Sequence, residues 1–169
     1  MYIDYLLLLI LLIAVLYDYR TRKIPNYLII TGMIAAFAYH GLTEGYQALW
    51  FGFKGFMVGL MVLFLPFGMG WLGGGDVKLL GMIGAFKGSL FVLGSFVFMA
   101  LWGGLIAAAY LLSKGRLKET LKKMLSSLLL APLGIASLST IESNDDPDTF
   151  PYGLAIALGA VTSYFSGWW

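Results

Sequence analysis

The chain of 169 residues contains no cysteine, so it can form neither a disulfide framework nor a thiolate metal site. Charge is scarce as well: 12% of the residues are charged, against about 25% in soluble globular proteins. The formal net charge of +2 is too small to indicate a nucleic-acid partner. In contrast, 60% of the residues are hydrophobic. This composition excludes an ordinary soluble domain and indicates a chain that lies in a lipid bilayer.

Six apolar runs with short polar breaks between them account for most of the chain. They are continuous rather than alternating, which predicts helices and not the strands of a barrel. The fourth run is short and spans about half of the hydrocarbon core at roughly 1.5 Å per residue. The predicted fold is therefore all-α, a single domain over residues 1–169 with about six transmembrane helices. The runs are Tyr2–Tyr17, Tyr27–Tyr39, Ala48–Trp71, Asp76–Phe86, Leu90–Leu112 and Tyr152–Trp169.

Most lysines and arginines lie in the first, third and fifth loops between these runs. By the positive-inside rule, these loops are predicted to be cytoplasmic and both termini to be outside the cell membrane. Asp4 lies at the start of the first run and is assigned to the outer surface, and Arg20, Arg22 and Lys23 follow the run, so it is interpreted as an uncleaved helix rather than a signal peptide. The fifth loop begins with KGRLKETLKKMLSSLLLAPLG, whose basic amphipathic pattern predicts a helix on the cytoplasmic membrane surface.

Two carboxylates lie at the predicted cytoplasmic boundary of the bilayer. Asp18 ends the first run, and Asp76 begins the fourth directly after Gly73, Gly74 and Gly75. Each has a simpler explanation: Asp76 as a helix N-cap, and Asp18 as an ion-pair partner of Arg22. Because both lie on one side of a small helical bundle, together they indicate a pair of interacting carboxylates.

Such a pair has a characteristic chemistry. Two carboxylates held close together share one proton, because ionising both is costly. The ionised member can take a proton from water while the protonated member polarises an amide carbonyl, which is peptide hydrolysis without a covalent intermediate. The three glycines fit this interpretation, because they allow close backbone approach and leave space for an extended substrate.

Three motifs resemble those of one known family. Gly73-Gly74-Gly75-Asp76 matches the GxGD signature of intramembrane aspartyl proteases, and the longer GGGDVKLLGMIGAFKG resembles the second aspartate motif of bacterial prepilin peptidases. DYRTRKIPN resembles their first motif, and FPYGLAIALGA resembles the Pro-Tyr-Gly motif that opens their last helix. The motifs occur in the family's order, and the chain as a whole resembles a type IV prepilin peptidase.

This resemblance implies an enzyme that removes the basic leader peptide from type IV prepilin-like precursors at the cytoplasmic membrane face. The implied partners are these precursors and membrane lipid, with no cofactor, metal or nucleic acid. Lys78 is assigned to lipid headgroups or to structure. The implied catalytic residues are Asp18 and Asp76, and those that shape the site are Pro25, Asn26, Gly73, Gly74, Gly75, Pro151, Tyr152 and Gly153.

The chain lacks the cysteine-bearing cytoplasmic insert of the larger family members. It therefore resembles the compact class that serves Tad/Flp-type or similar pili, and we expect no N-methyltransferase activity. Two other functions remain open at this point. A small ion- or proton-coupled transporter could use the two aspartates, but it would need them near the bilayer midplane. A structural subunit of a secretion machine would leave the aspartate pair unexplained.

Overall fold

The computed structural model describes residues 2–68, 72–113 and 152–167. Pro151 and the basic segment over residues 114–134 lie outside these ranges. No strand occurs within them, so the prediction of a helical protein is confirmed for the described part of the chain. A short π-helical turn, His40–Glu44, lies between the second and third helices. The helices are α1 (Tyr2–Thr21), α2 (Asn26–Tyr39), α3 (Tyr46–Gly68), α4 (Gly74–Ser113) and α5 (Tyr152–Ser166).

The chain divides into two compact units, residues 1–103 with 151–169 and residues 104–150. The side-chain and backbone contacts described below lie in the first unit. Two of the described stretches, Tyr46–Gly68 and Gly74–Tyr110, are long and apolar enough to cross a membrane. Large apolar side chains also remain on the outside of the unit, as at Leu12 and Phe64, which are 58% and 67% exposed. An apolar outer surface of this kind is typical of a protein surrounded by lipid.

Helix α4 is interrupted at Gly88, where φ is 83° and ψ is −178°. This left-handed φ favours glycine, because a Cβ would strain the backbone. The break divides α4 into a first arm (residues 74–87) and a second arm (residues 89–113), which agrees with the separate helices that the sequence predicts over 76–86 and 90–112. Helix carbonyls lose their partners before such a break, and a ring nitrogen of buried His40 lies 3.2 Å from the Ala85 carbonyl there.

Helix α3 crosses the first arm of α4 with backbone against backbone. A Cβ at Gly55 would collide with the carbonyl of Gly84, and a Cβ at Gly84 would collide with the carbonyl of Gly55. One turn away, a Cβ at Gly59 would lie 2.7 Å from the Leu80 carbonyl oxygen and 2.8 Å from the Gly81 Cα. Small residues at three- and four-residue spacing allow this close approach, which is the usual way in which helices pack inside a membrane. The crossing fixes where the first arm of α4 lies.

Helix α5 packs against both α1 and the second arm of α4. A Cβ at Gly159 would come within 2.5 Å of the Ser95 carbonyl and 2.6 Å of the Met99 nitrogen, so only glycine fits at this contact. Farther along, the Trp102 indole N–H donates a hydrogen bond to the Thr162 hydroxyl at 2.9 Å. Together these contacts hold the middle and the end of α5 against the second arm of α4.

An ion pair joins the start of α1 to the break in α4. The Lys87 Nζ lies 2.9 Å from Oδ1 of Asp4, and the two side chains are only 12% and 17% exposed. The same ammonium lies over the rings of Phe91 and Tyr164, at 5.6 Å and 5.1 Å from their centroids, so it also contacts α5. The sequence assigned Asp4 to the outer surface. The structure shows that it also helps to hold three helices together.

Removing one member of this ion pair should destabilise the protein, because the other member would keep its charge in an environment with little water. We expect Asp4→Asn and Lys87→Gln each to lower the midpoint of thermal unfolding in detergent by several degrees. In the double variant the midpoint should fall by less than the sum of the two single decreases, because the interaction between the charges can be lost only once. Lys54→Gln, at an exposed position on α3, is the control. Strictly additive losses would show that the two charges do not act as a pair.

Candidate active site

Asp18 lies in the last turn of α1 and is only 7% exposed. Its Oδ2 accepts a hydrogen bond of 2.9 Å from the backbone N–H of Gly153, in the first turn of α5. The amino end of a helix carries unpaired N–H groups and a partial positive charge, so it stabilises an anionic group placed there. The Pro-Tyr-Gly motif and the first aspartate motif are therefore in direct contact, although they are far apart in the sequence.

Asp76 lies in the first turn of α4 and is 8% exposed. Its Oδ2 accepts a hydrogen bond of 3.2 Å from the backbone N–H of Gly73, directly before the helix. An N-cap side chain would instead bond to N–H groups farther into the helix. Asp76 is the third helical residue and reaches back to the residue before the helix, as in one half of a capping box. The interpretation of Asp76 as the N-cap is therefore wrong: Gly73 occupies the N-cap position, and Asp76 is the third residue of the helix.

The two carboxylates interact electrostatically with each other. Tyr152, half-buried at the start of α5, also interacts electrostatically with Asp76. The ends of α1, α4 and α5 therefore converge on one small region of the first unit. The sequence predicted that Asp18 and Asp76 lie on the same side of the bundle, and the structure brings them together.

Each carboxylate uses one oxygen for its backbone hydrogen bond. No described residue donates a hydrogen bond to the Oδ1 atom of Asp18 or of Asp76. In the described part of the chain, no buried side-chain oxygen lacks a hydrogen-bond partner. These two oxygens must therefore reach accessible space, where a water molecule or a substrate carbonyl could meet them. One oxygen positions each carboxylate, and the other is available for chemistry.

Arg22 lies just beyond the end of α1 and has a left-handed backbone, with φ of 54°. Its backbone N–H donates a hydrogen bond of 2.9 Å to the carbonyl of Asp18, and its side chain interacts electrostatically with the carboxylate. The predicted association between Asp18 and Arg22 is therefore present. It exists alongside the carboxylate pair and does not replace it.

Pro25, Asn26 and Gly75, which the sequence also assigned to the site, lie where the start of α2 meets the start of α4. Pro25 immediately precedes α2, and Ile24 before it packs on Gly75, where a Cβ would come within 3.3 Å of the Ile24 Cβ. The Asn26 side chain accepts a hydrogen bond of 3.1 Å from the Lys78 ammonium, which ties the start of α2 to the start of α4. Pro151 lies outside the described residues.

Sequence reasoning missed both the Ile24–Gly75 contact and the Asn26–Lys78 hydrogen bond. Asn26 and Lys78 each belong to a recognised motif, but nothing in their spacing indicates that they meet. The described residues include no cluster of three or more His, Cys, Asp or Glu side chains that could hold a metal ion.

Comparison with known proteins agrees with this geometry. The model of the type IV leader peptidase family matches residues 5–112, which is more than half of the chain and includes both aspartates. The chain belongs to this family. No curated protein and no solved structure matches the chain. The family match confirms the resemblance seen in the sequence motifs, and with the two apolar helices it identifies the chain as a membrane peptidase.

Gly153 leaves no room for a side chain beside Asp18 in this member of the leader peptidase family. A Cβ there would lie 2.8 Å from Oδ2 of Asp18 and 3.1 Å from its Cγ, so alanine would displace the carboxylate. Because a shift of about 1 Å at a reacting group costs about a hundredfold in rate, we expect Gly153→Ala to lower peptide cleavage by that order. Gly103→Ala is the matched control, since its Cβ would make an ordinary contact of 3.8 Å with Ala155. Cleavage by Gly153→Ala at the rate of the control would contradict this role.

Proposed function

We propose that the chain is an aspartyl endopeptidase that cleaves the basic leader from type IV prepilin-like precursors. Asp18 and Asp76 are the proposed catalytic residues. The observation that carries the proposal is the convergence of two buried carboxylates, each fixed through one oxygen, in a member of a leader peptidase family. Buried acidic groups in a membrane protein are costly and are normally kept for function.

In the proposed reaction, the ionised carboxylate takes a proton from a water molecule, and the water oxygen attacks the carbonyl carbon of the scissile peptide bond. The protonated carboxyl donates its proton to the carbonyl oxygen. The tetrahedral gem-diol intermediate then collapses: the protonated carboxyl gives its proton to the amide nitrogen, and one hydroxyl of the intermediate gives its proton to an ionised carboxylate of the pair. The C–N bond breaks, and a carboxylic acid and an amine are released. One water is consumed, and the pair returns to sharing one proton.

The proposed location is the cytoplasmic face of the cell membrane, in a chain with about six spans and both termini outside. Support comes from the basic residues at the same end of the helices as the aspartate pair, namely Arg20 in the last turn of α1, Arg22 and Lys23 just after α1, and Lys78 in α4. Positive charge concentrates on the cytoplasmic side of membrane proteins. No methyl transfer is included in the proposal.

A transporter is the second candidate, and the placement of the carboxylates disfavours it. Coupling carboxylates of transporters lie near the bilayer midplane. Asp18 lies instead in the last turn of α1 and Asp76 in the first turn of α4, so both are at helix ends. This is where a soluble part of a precursor could reach them.

Asparagine substitutions test the pair. Asp18→Asn and Asp76→Asn keep the side-chain size but remove the exchangeable proton, so each should lower precursor cleavage by about a thousandfold or more. The double variant should be little worse than either single one, because the two carboxylates act as a unit. Asp145→Asn controls for the loss of one negative charge. Near wild-type cleavage by a folded Asp76→Asn variant would reduce this residue to the capping role and end the aspartyl-protease proposal.

The pH dependence of cleavage supplies a separate test. At low pH both carboxyls are protonated and neither can accept a proton from water, whereas at high pH both are ionised and neither can polarise the carbonyl. We therefore expect the rate to pass through a single maximum, whose two limits belong to the pair and not to either residue. Measuring the rate of precursor cleavage in detergent across a buffer series would show this. A rate that rises to a plateau at high pH would mean that no protonated carboxyl is required.

A further inference from the structure

Helices α2 and α3 leave an apolar groove between them, floored by the first turns of α4. Its volume is about 510 Å³. On the α2 side the groove is lined by Ile29, Ile30 and Met33, and on the α3 side by Phe56, Leu60 and Phe64. Ile30 and Phe64 are 50% and 67% exposed, so the groove opens onto the apolar outer surface of the unit. The aspartate pair contributes no lining residue.

The length of this groove matches one leaflet of a bilayer. Its lining runs from Asn26 to Met33 on α2 and from Phe56 to Phe67 on α3. At roughly 1.5 Å per residue these stretches are about 10 Å and 16 Å long, whereas the hydrocarbon core is about 30 Å thick. The groove therefore has the length of one leaflet's acyl chain and is too short for a helix that crosses the whole membrane.

The groove ends at a polar site made by Lys78 and Asn26. The Lys78 ammonium donates a hydrogen bond of 3.1 Å to Oδ1 of Asn26, which is a neutral acceptor. Among the described residues, no carboxylate forms an ion pair with Lys78. The ammonium has further N–H donors beyond this bond. The side-chain amide of Asn26 also carries an NH2 group, at Nδ2, that can donate hydrogen bonds. Arg20 and Lys23 lie exposed at this end of the helices as well. The polar end of the groove is thus positively charged and rich in donors.

We propose that this groove binds an anionic phospholipid, with one acyl chain between α2 and α3 and the phosphate on Lys78 Nζ and Asn26 Nδ2. The apolar walls of the groove separate the bound acyl chain from the surrounding lipids. The Lys78 ammonium at the polar end favours a headgroup with a net negative charge. The proposal does not rest on the peptidase activity. It assigns Lys78, which the sequence left to headgroups or structure, to a specific headgroup site.

The apolar segment of a precursor is the other ligand to consider, and the geometry disfavours it. Lys78 follows Asp76 by two residues, so the two side chains point about 200° apart around α4. Gly75, next to Asp76, is covered by Ile24, whose Cβ would lie 3.3 Å from an added Cβ. A peptide lying in the groove would therefore be on a different face of α4 from the carboxylate that is proposed to act on it.

Native mass spectrometry of the detergent-solubilised protein tests the proposal, with phosphatidylglycerol and phosphatidylcholine of identical acyl chains as probes. We expect the wild-type protein to bind phosphatidylglycerol about fivefold more tightly, as one lysine near a headgroup predicts. Lys78→Gln should bring this preference close to one. Lys54→Gln removes an exposed lysine that does not line the groove, so this variant should retain the wild-type preference for phosphatidylglycerol.

A second variant tests the chain-binding part of the groove. Met33→Trp should fill the groove and lower the binding of both lipids. If this variant unfolds at a lower temperature than the wild type, Ile30→Trp, at the more exposed rim of the groove, is the replacement test. An unchanged headgroup preference in Lys78→Gln would overturn the assignment of the phosphate site. Unchanged lipid binding in a folded groove-filling variant would overturn the chain site. Displacement of the bound lipid by a precursor's apolar segment would also overturn the proposal and make the groove a substrate site.

Discussion

The site depends on a backbone N–H from a glycine directed at each buried carboxylate. A carboxylate with 7% or 8% exposure loses most of its hydration, and an unpaired one would be too costly to keep. Gly153 and Gly73 each supply one hydrogen bond, both from the start of a helix. Because a single oxygen is held in each case, the carboxylates are oriented and still have an oxygen available. A second fixed donor would stabilise them further but would occupy the oxygen that is now accessible.

Holding the carboxylates in this way requires the helices to approach closely, and glycine makes the approach possible. Gly55 and Gly84 bring α3 into backbone contact with the first arm of α4, and Gly159 does the same for α5 and the second arm. Gly153 then admits the Asp18 carboxylate itself. In lipid there is no hydrophobic force between helices, so van der Waals contact at such positions supplies much of the packing energy. The same residue type therefore serves both the fold and the site.

The positions of the helices along the chain could be predicted from the sequence. The rotation of each helix about its own axis, which decides the side chains that face its neighbours, could not. The apolar runs gave the positions of α1 to α5 within a few residues, and the break near Gly88 separated the two predicted helices. The ion pair of Asp4 with Lys87 and the bond of Lys78 with Asn26 escaped prediction, because both depend on which face each helix turns inward. A helix that is apolar on all sides carries no such signal. The aspartate pair was accessible because both residues lie at the same predicted boundary of the bilayer, and the motifs that contain them resemble those of a known family.

The first arm of α4 serves two environments through neighbouring residues. Asp76 turns toward α1 and α5, where its accessible oxygen can meet water, and Lys78 turns toward α2 at the end of an apolar groove. Peptide hydrolysis needs water, whereas a lipid-lined groove excludes it, so the two must be kept apart. Helical geometry separates the side chains by about 200° over two residues. Ile24 on Gly75 closes the remaining gap between the two faces. The first arm of α4, with glycines at its start, can thus carry a buried carboxylate with one oxygen accessible to water while its other face lines the apolar groove.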